Sequence, residues 1–114
     1  MSRAPNLLDD VPRSAGEEQF RTLLEAPGVR IERIVSCGHC SPEGFWYDQA
    51  GDEWVMVVRG RARLQFEGEP SIELTAGSYL HIPAGRRHRV EWTDAREPTV
   101  WLAVHFPRGD AATC

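Results

Sequence analysis

Gly77-Ser-Tyr-Leu-His-Ile-Pro83-Ala-Gly85-Arg-Arg-His88 fits the pattern G-x5-P-x-G-x2-H without a gap. Each fixed position has a mechanical reason. Gly77 suits a turn that needs positive φ, Pro83 fixes the backbone at a strand exit, and Gly85 permits a tight bend. His88 opens the next strand, so the bend aims its imidazole. Upstream, Glu53-Trp-Val-Met-Val-Val-Arg-Gly60 fits E-x6-G: a carboxylate at the start of a strand, with glycine in the hairpin turn at its far end.

The sequence around these two motifs is of the same kind. From Val29 onward, short apolar or alternating runs are cut by turn residues about every ten positions. They predict strands over 29–36, 45–48, 53–59, 61–67, 71–74, 78–82, 88–92 and 99–106. Ala62, Leu64 and Phe66 share one face of their strand, while Arg61, Arg63, Gln65 and Glu67 share the other, so that strand has one wet side. Trp54 to Val58 is apolar on both faces, which suits a central strand covered on both sides. No stretch between strands is long enough for a crossover helix, so the sheets are antiparallel and the class is all-β, a sandwich or barrel. Ahead of the strands, Ser14-Ala-Gly-Glu17 has the spacing of a capping box before Phe20, Leu23 and Leu24. It predicts one short N-terminal helix, stopped by Pro27-Gly28. The expected organisation is an arm and short helix over 1–28, a barrel over 29–107 and a C-terminal tail over 108–114.

At 114 residues there is room for one domain, and 41% apolar with 26% charged residues is ordinary for a soluble globular chain. The formal net charge of −4 argues against a phosphate-tracking nucleic-acid binder. All 13 basic residues are arginine, so Schiff-base chemistry and a P-loop lysine are excluded within the chain. Charges and two prolines interrupt residues 1–13 where a secretory signal would be apolar, and no apolar run reaches membrane-spanning length. With three cysteines, an odd number, the expectation is a cytoplasmic protein that contacts neither membrane nor nucleic acid.

Taken together, the two motifs resemble the signature pair of the cupin superfamily, the small antiparallel jelly-roll β-barrels, over roughly residues 44–106. The resemblance implies a barrel whose mouth holds a divalent metal (zinc, iron, manganese or nickel) on three histidines and a glutamate, and it implies a homodimer. The family's glutamate falls on Glu53 and its second-motif histidine on His88. The H-x-H pair that precedes the glutamate in the family is missing. A three-residue spacer puts Tyr47 and Gln49 in those places, and a four-residue spacer puts Trp46 and Asp48 there. The shorter spacer is favoured because it keeps Gly51-Asp52 as the polar turn before the glutamate. The metal candidates are therefore His88, Glu53, Gln49 and Tyr47. This set binds a metal weakly, since amide and phenol oxygens add much less than imidazole nitrogen. His105, with Trp101 on the same strand face, is a candidate for the ligand pocket, and His81 is a further candidate to complete the set. Trp92 stands where the family often closes its second motif with asparagine.

Two readings remain open. One is a small-molecule enzyme of isomerase, lyase or oxygenase type, in which Glu53 or Tyr47 moves a proton beside the metal; loss of the H-x-H pair disfavours a three-histidine iron oxygenase. The other is a non-catalytic binding or sensing barrel with a polar floor of Tyr47, Gln49, Glu53 and His88. Arg86, Arg87 and Arg89 form either an anion grip at the mouth or a solvated rim. Cys37-Gly-His-Cys40 matches a disulfide-exchange sequence, but it lacks the helix N-terminus that would lower the thiol pKa, so it reads as two spare thiols in a loop.

Overall fold

The computed structural model describes residues 1–108; the tail expected over 108–114, with Cys114, lies outside the described residues from 109 onward. Eight strands follow one another: β1 (Gln19–Ala26), β2 (Val29–Ser36), β3 (Asp52–Arg59), β4 (Arg61–Phe66), β5 (Ile72–Thr75), β6 (Tyr79–Ile82), β7 (His88–Thr93) and β8 (Thr99–Phe106). They form a five-stranded sheet in the order β1-β2-β8-β3-β6 and a three-stranded sheet in the order β5-β4-β7. Every pairing is antiparallel. No helix is long and apolar enough to cross a membrane among the described residues.

Alternation along each strand turns one face of each sheet toward the other. Val55 and Val57 of β3, Ala62, Leu64 and Phe66 of β4, Leu74, Ile82, Trp101 and Ala103 meet there as one buried cluster. The β3–β4 turn depends on Gly60. Its φ is 93°, and a Cβ at this position would stand 2.6 Å from the Thr99 Cα, so the hairpin closes against β8 only without a side chain. Gly85, at φ 74°, makes the bend that returns the chain into β7.

The expected N-terminal helix does not form; residues 19–26 are β1, paired along β2. The apolar positions 20, 23 and 24 imitate helical spacing because a register shift between Thr22 and Leu24 inserts an extra residue. Phe20 and Thr22 lie opposite Ile34 and Glu32, whereas Leu24 lies opposite Ile31, so the bulge moves the apolar residues from one face to the other. An isolated eight-residue helix is unstable in water, and the open edge of β2 offers a full row of backbone partners instead. The strand expected over 45–48 is also absent. That loop crosses β7 at the single pair Tyr47–His88 and otherwise bonds to turns.

On the outer side of β2, Arg33 is 2% exposed. It donates to the carbonyls of Leu7 and Asp9 and to Gln19 Oε1, which fastens the N-terminal arm across the sheet.

Candidate functional site

At one end of the barrel the inward-facing residues change from apolar to polar, and the sheets enclose a cavity of about 470 Å³. Three neighbouring strands build its polar wall. His105 of β8 stands in register with Arg30 of β2 on one side and with Glu53 of β3 on the other. Glu32, two residues beyond Arg30 on the same face, accepts a hydrogen bond from His105 Nε2 at 2.8 Å. Arg30 Nε lies 3.8 Å from Glu32 Oε2. Val55, Leu64, Ile82, Val90 and Trp101 close the floor with apolar surface.

The opposite wall comes from the second motif. His88 opens β7 opposite Phe66, and its Nδ1 donates to the Arg86 carbonyl at 2.9 Å. That bond fixes the tautomer, leaving an unprotonated Nε2 directed at Glu53 Oε1, 3.8 Å away. Tyr47 exchanges two backbone hydrogen bonds with His88, at 2.7 and 3.1 Å, and stacks on its ring at 23°. The Gly85 amide holds the Gln49 carbonyl, and the Ala84 amide holds Asp52 Oδ1. The turn at 83–88 thereby clamps the loop before Glu53, and the two-residue period from Tyr47 brings Gln49 onto the same wall.

Glu53 is 7% exposed, and no hydrogen bond reaches it among the described residues. Its neighbours are His88 Nε2 and His105 Nε2, each 3.8 Å away and beyond bonding length. Burial pushes its carboxyl above the ordinary value of 4.5; His105 opposes the rise and Glu32 adds to it. Burial also holds His88 below its ordinary 6.5, partly offset by the bond to the Arg86 carbonyl. Tyr47 is raised above 10.0, first by burial and then by Glu18 and Glu53, so its phenol stays protonated.

Glu53, His88, Tyr47, Gln49, His105 and Trp101 all line this one cavity, while Trp46 and Asp48 do not. Other candidates lie elsewhere. His81 pairs with Asp52 at 2.8 Å and stacks on Phe106, on the far face of β6. Arg86 pairs with Glu69 and Arg87 with Glu67, and Arg89 donates to the Ser41 carbonyl, so the three arginines form no grip at the mouth. His39, within the Cys37–Cys40 segment, accepts from the Cys37 amide and both thiols are free. Sequence reading missed Glu18, Phe20, Thr22, Arg30 and Glu32, all of which line the cavity.

A three-histidine and glutamate metal centre does not fit these residues. His88 Nε2 and Glu53 are suitable donors, but the other two places hold a phenol and an amide. His105 Nε2 carries its proton toward Glu32 and has no lone pair to give. No group of three or more His, Cys, Asp or Glu side chains assembles for a metal among the described residues.

Comparison with known proteins agrees with this architecture. A family model described as the cupin domain matches residues 40–105. The crystal structure of a candidate mannose-6-phosphate isomerase from Ralstonia eutropha JMP134 is 53% identical, covering 93% of this chain and 99% of that one, with a TM-score of 0.90. A cupin superfamily protein from Desulfitobacterium hafniense DCB-2 is 16% identical over 94% of both chains, with a TM-score of 0.74. A DMSP lyase from Ruegeria pomeroyi DSS-3 is 20% identical, covering 85% of this chain and 49% of that one, with a TM-score of 0.66. No curated protein matches the sequence. Two sheets in jelly-roll order, a glutamate and a histidine converging from the two motifs, and a family match over most of the barrel make this chain a member of the cupin family.

Proposed function

We propose that the cavity is a small-molecule site that works by proton transfer, as an isomerase or lyase, with Glu53 and His88 as the exchanging pair. The observation that carries this reading is Glu53 itself: a buried carboxylate without a hydrogen-bond partner, set between two imidazole nitrogens 3.8 Å away. No protein group takes its oxygens, which open onto the cavity and are left to a ligand. Burial raises the carboxyl and lowers the imidazole, which narrows the gap between their proton affinities and favours proton transfer between them. A ligand carbon acid resting against the pair loses a proton to Glu53 and regains that proton at the neighbouring carbon, directly from Glu53 or after its transfer to His88 Nε2. Glu32 positions His105 through its hydrogen bond, and the Tyr47 phenol is available to donate to a ligand oxygen. The name of the Ralstonia protein is that of an isomerase acting on a phosphorylated sugar; it supports the reaction type here, while the carboxylate-lined cavity argues against the phosphorylated substrate.

This reading uses only the chain's own groups and needs no zinc, iron, manganese or nickel. Protein purified without chelators is expected to carry well under one equivalent of metal. A full equivalent that disappears in His88→Ala would restore the metal centre and overturn the reading. The direct test is solvent deuterium incorporation, followed by NMR, into a panel of α-hydroxycarbonyl compounds and amino ketones. Wild type should exchange a carbon-bound proton of at least one member, and Glu53→Gln should not. Binding without exchange across the panel would favour a non-catalytic barrel instead.

We also propose a homodimer formed through the outer face of the five-stranded sheet. Trp54 and Tyr79 pack their rings at 5.8 Å there, beside Met56 and Leu102, and Tyr79 is 66% exposed. A second copy would cover this apolar surface. A cytoplasmic location is supported by the two free thiols, Cys37 and Cys40.

A further inference from the structure

Inside the cavity the indole N–H of Trp101 and one N–H of each histidine are committed to protein acceptors, which leaves the Tyr47 hydroxyl, the Thr22 hydroxyl, the Gln49 amide and the Arg30 guanidinium as the remaining side-chain donors. Trp101 Nε1 donates to Ser36 Oγ at 3.2 Å, and that hydroxyl donates onward to Glu18. His105 Nε2 is taken by Glu32 and His88 Nδ1 by the Arg86 carbonyl. Both oxygens of Glu53 and the Nε2 of His88 are left as acceptors facing the cavity without a donor. Fixed charge has the same bias. Three carboxylates, Glu18, Glu32 and Glu53, line the wall with one guanidinium, Arg30, which already faces Glu32. The arginines of the second motif are paired outside the cavity.

We infer that the cavity takes a small organic cation bearing N–H donors, an alkyl- or arylammonium, and rejects phosphorylated and carboxylate ligands; this rests on the cavity being a ligand site, as proposed above. An ammonium group supplies the donor that Glu53 lacks, in a charge-assisted hydrogen bond, and compensates the desolvated carboxylate. The rings of Phe20, Tyr47 and Trp101 offer apolar and π surface for the rest of the molecule and its cationic head. A phosphate or carboxylate brings acceptors to a wall of acceptors and negative charge beside Glu53. The one guanidinium on the lining, Arg30, already has its charge offset by Glu32 at 3.8 Å. Neutral ligand oxygens retain the Tyr47 hydroxyl and the Gln49 amide as partners.

A series that changes only the charge of one group tests this: benzylamine, benzyl alcohol and benzyl phosphate, titrated into the full chain at neutral pH and followed by NMR of the indole N–H signals. Benzylamine is expected to bind at least about tenfold more tightly than benzyl alcohol, with no detectable binding of benzyl phosphate at millimolar concentration. Glu53→Gln should bring the amine down to the level of the alcohol. Glu18→Gln, a milder change at the half-buried rim, should lower the amine's affinity without affecting the alcohol. Benzyl phosphate binding as well as the amine, or amine binding unchanged in both variants, overturns the charge assignment while leaving a ligand site in place. Failure of all three compounds to bind removes the ligand site and the charge assignment together.

Discussion

Glu53, Val55 and Val57 lie on the same face of β3, yet they belong to two different environments. Val57, at 0% exposed, belongs to the same buried cluster as Ala62 and Leu74, and its backbone N–H and C=O are bonded to Ser78 and Gly77. Four residues earlier on the same strand, Glu53 is nearly as buried and has no hydrogen-bond partner among the described residues. Closely spaced side chains alone therefore do not give stability; what differs is whether each buried group is satisfied. The apolar end holds the barrel together, and under the proposed function the polar end gives up part of that stability to leave a carboxylate available to a ligand.

The most damaging way to probe this contrast is at the apolar end. Leu74→Ala should cost about 3 kcal/mol of unfolding free energy, read by urea titration, and leave ligand affinity per folded molecule unchanged. At the polar end the sign should reverse. Glu53→Gln removes a buried charge and should stabilise the chain by about 1 kcal/mol near pH 8, while abolishing exchange activity. The pH dependence follows from the raised carboxyl. Its contribution to stability is complete below the unfolded value of 4.5 and is lost as pH rises through the higher folded value. The gain in Glu53→Gln should therefore vanish in acid and open with increasing pH. A variant less stable than wild type at pH 8 would mean that Glu53 is a structural residue.

His88 should produce a slope of opposite sense. Its folded pKa is depressed, so its contribution is present above 6.5 and lost as pH falls toward the folded value. Melting temperature measured across pH 7 to 5 should decline in wild type and decline less in His88→Gln. The smallest effect is expected from Tyr47→Phe. Its stability should stay within about 0.5 kcal/mol of wild type, and affinity for a hydroxyl-bearing ligand should fall about threefold to tenfold.

The features legible in the sequence were those with local geometric causes. Turns fixed by Gly77, Pro83 and Gly85 announced themselves, and β2 and β8 begin and end at their expected residues. Arg30 and Glu32 escaped notice for a physical reason. Charged residues alternating with Ile31 and Arg33 look like a solvent face, because alternation is usually read as apolar-in and polar-out. Here the inner face is the polar one, since it borders a cavity, and the N-terminal arm covers Arg33 outside. The strand β1 was hidden by its bulge, whose extra residue gave Phe20 and Leu24 the spacing of a helix turn. Neither inversion follows from one segment alone; each depends on what another part of the chain lays against it.

The buried Arg33 has a practical consequence for anyone handling this protein. Its guanidinium relies on carbonyls contributed by Leu7 and Asp9, so those first residues act as a fastening rather than a dispensable leader. Chains trimmed back to residue 14 would strand a full positive charge against the sheet. Loss of solubility after such trimming would originate on the outer face of β2, away from the cavity.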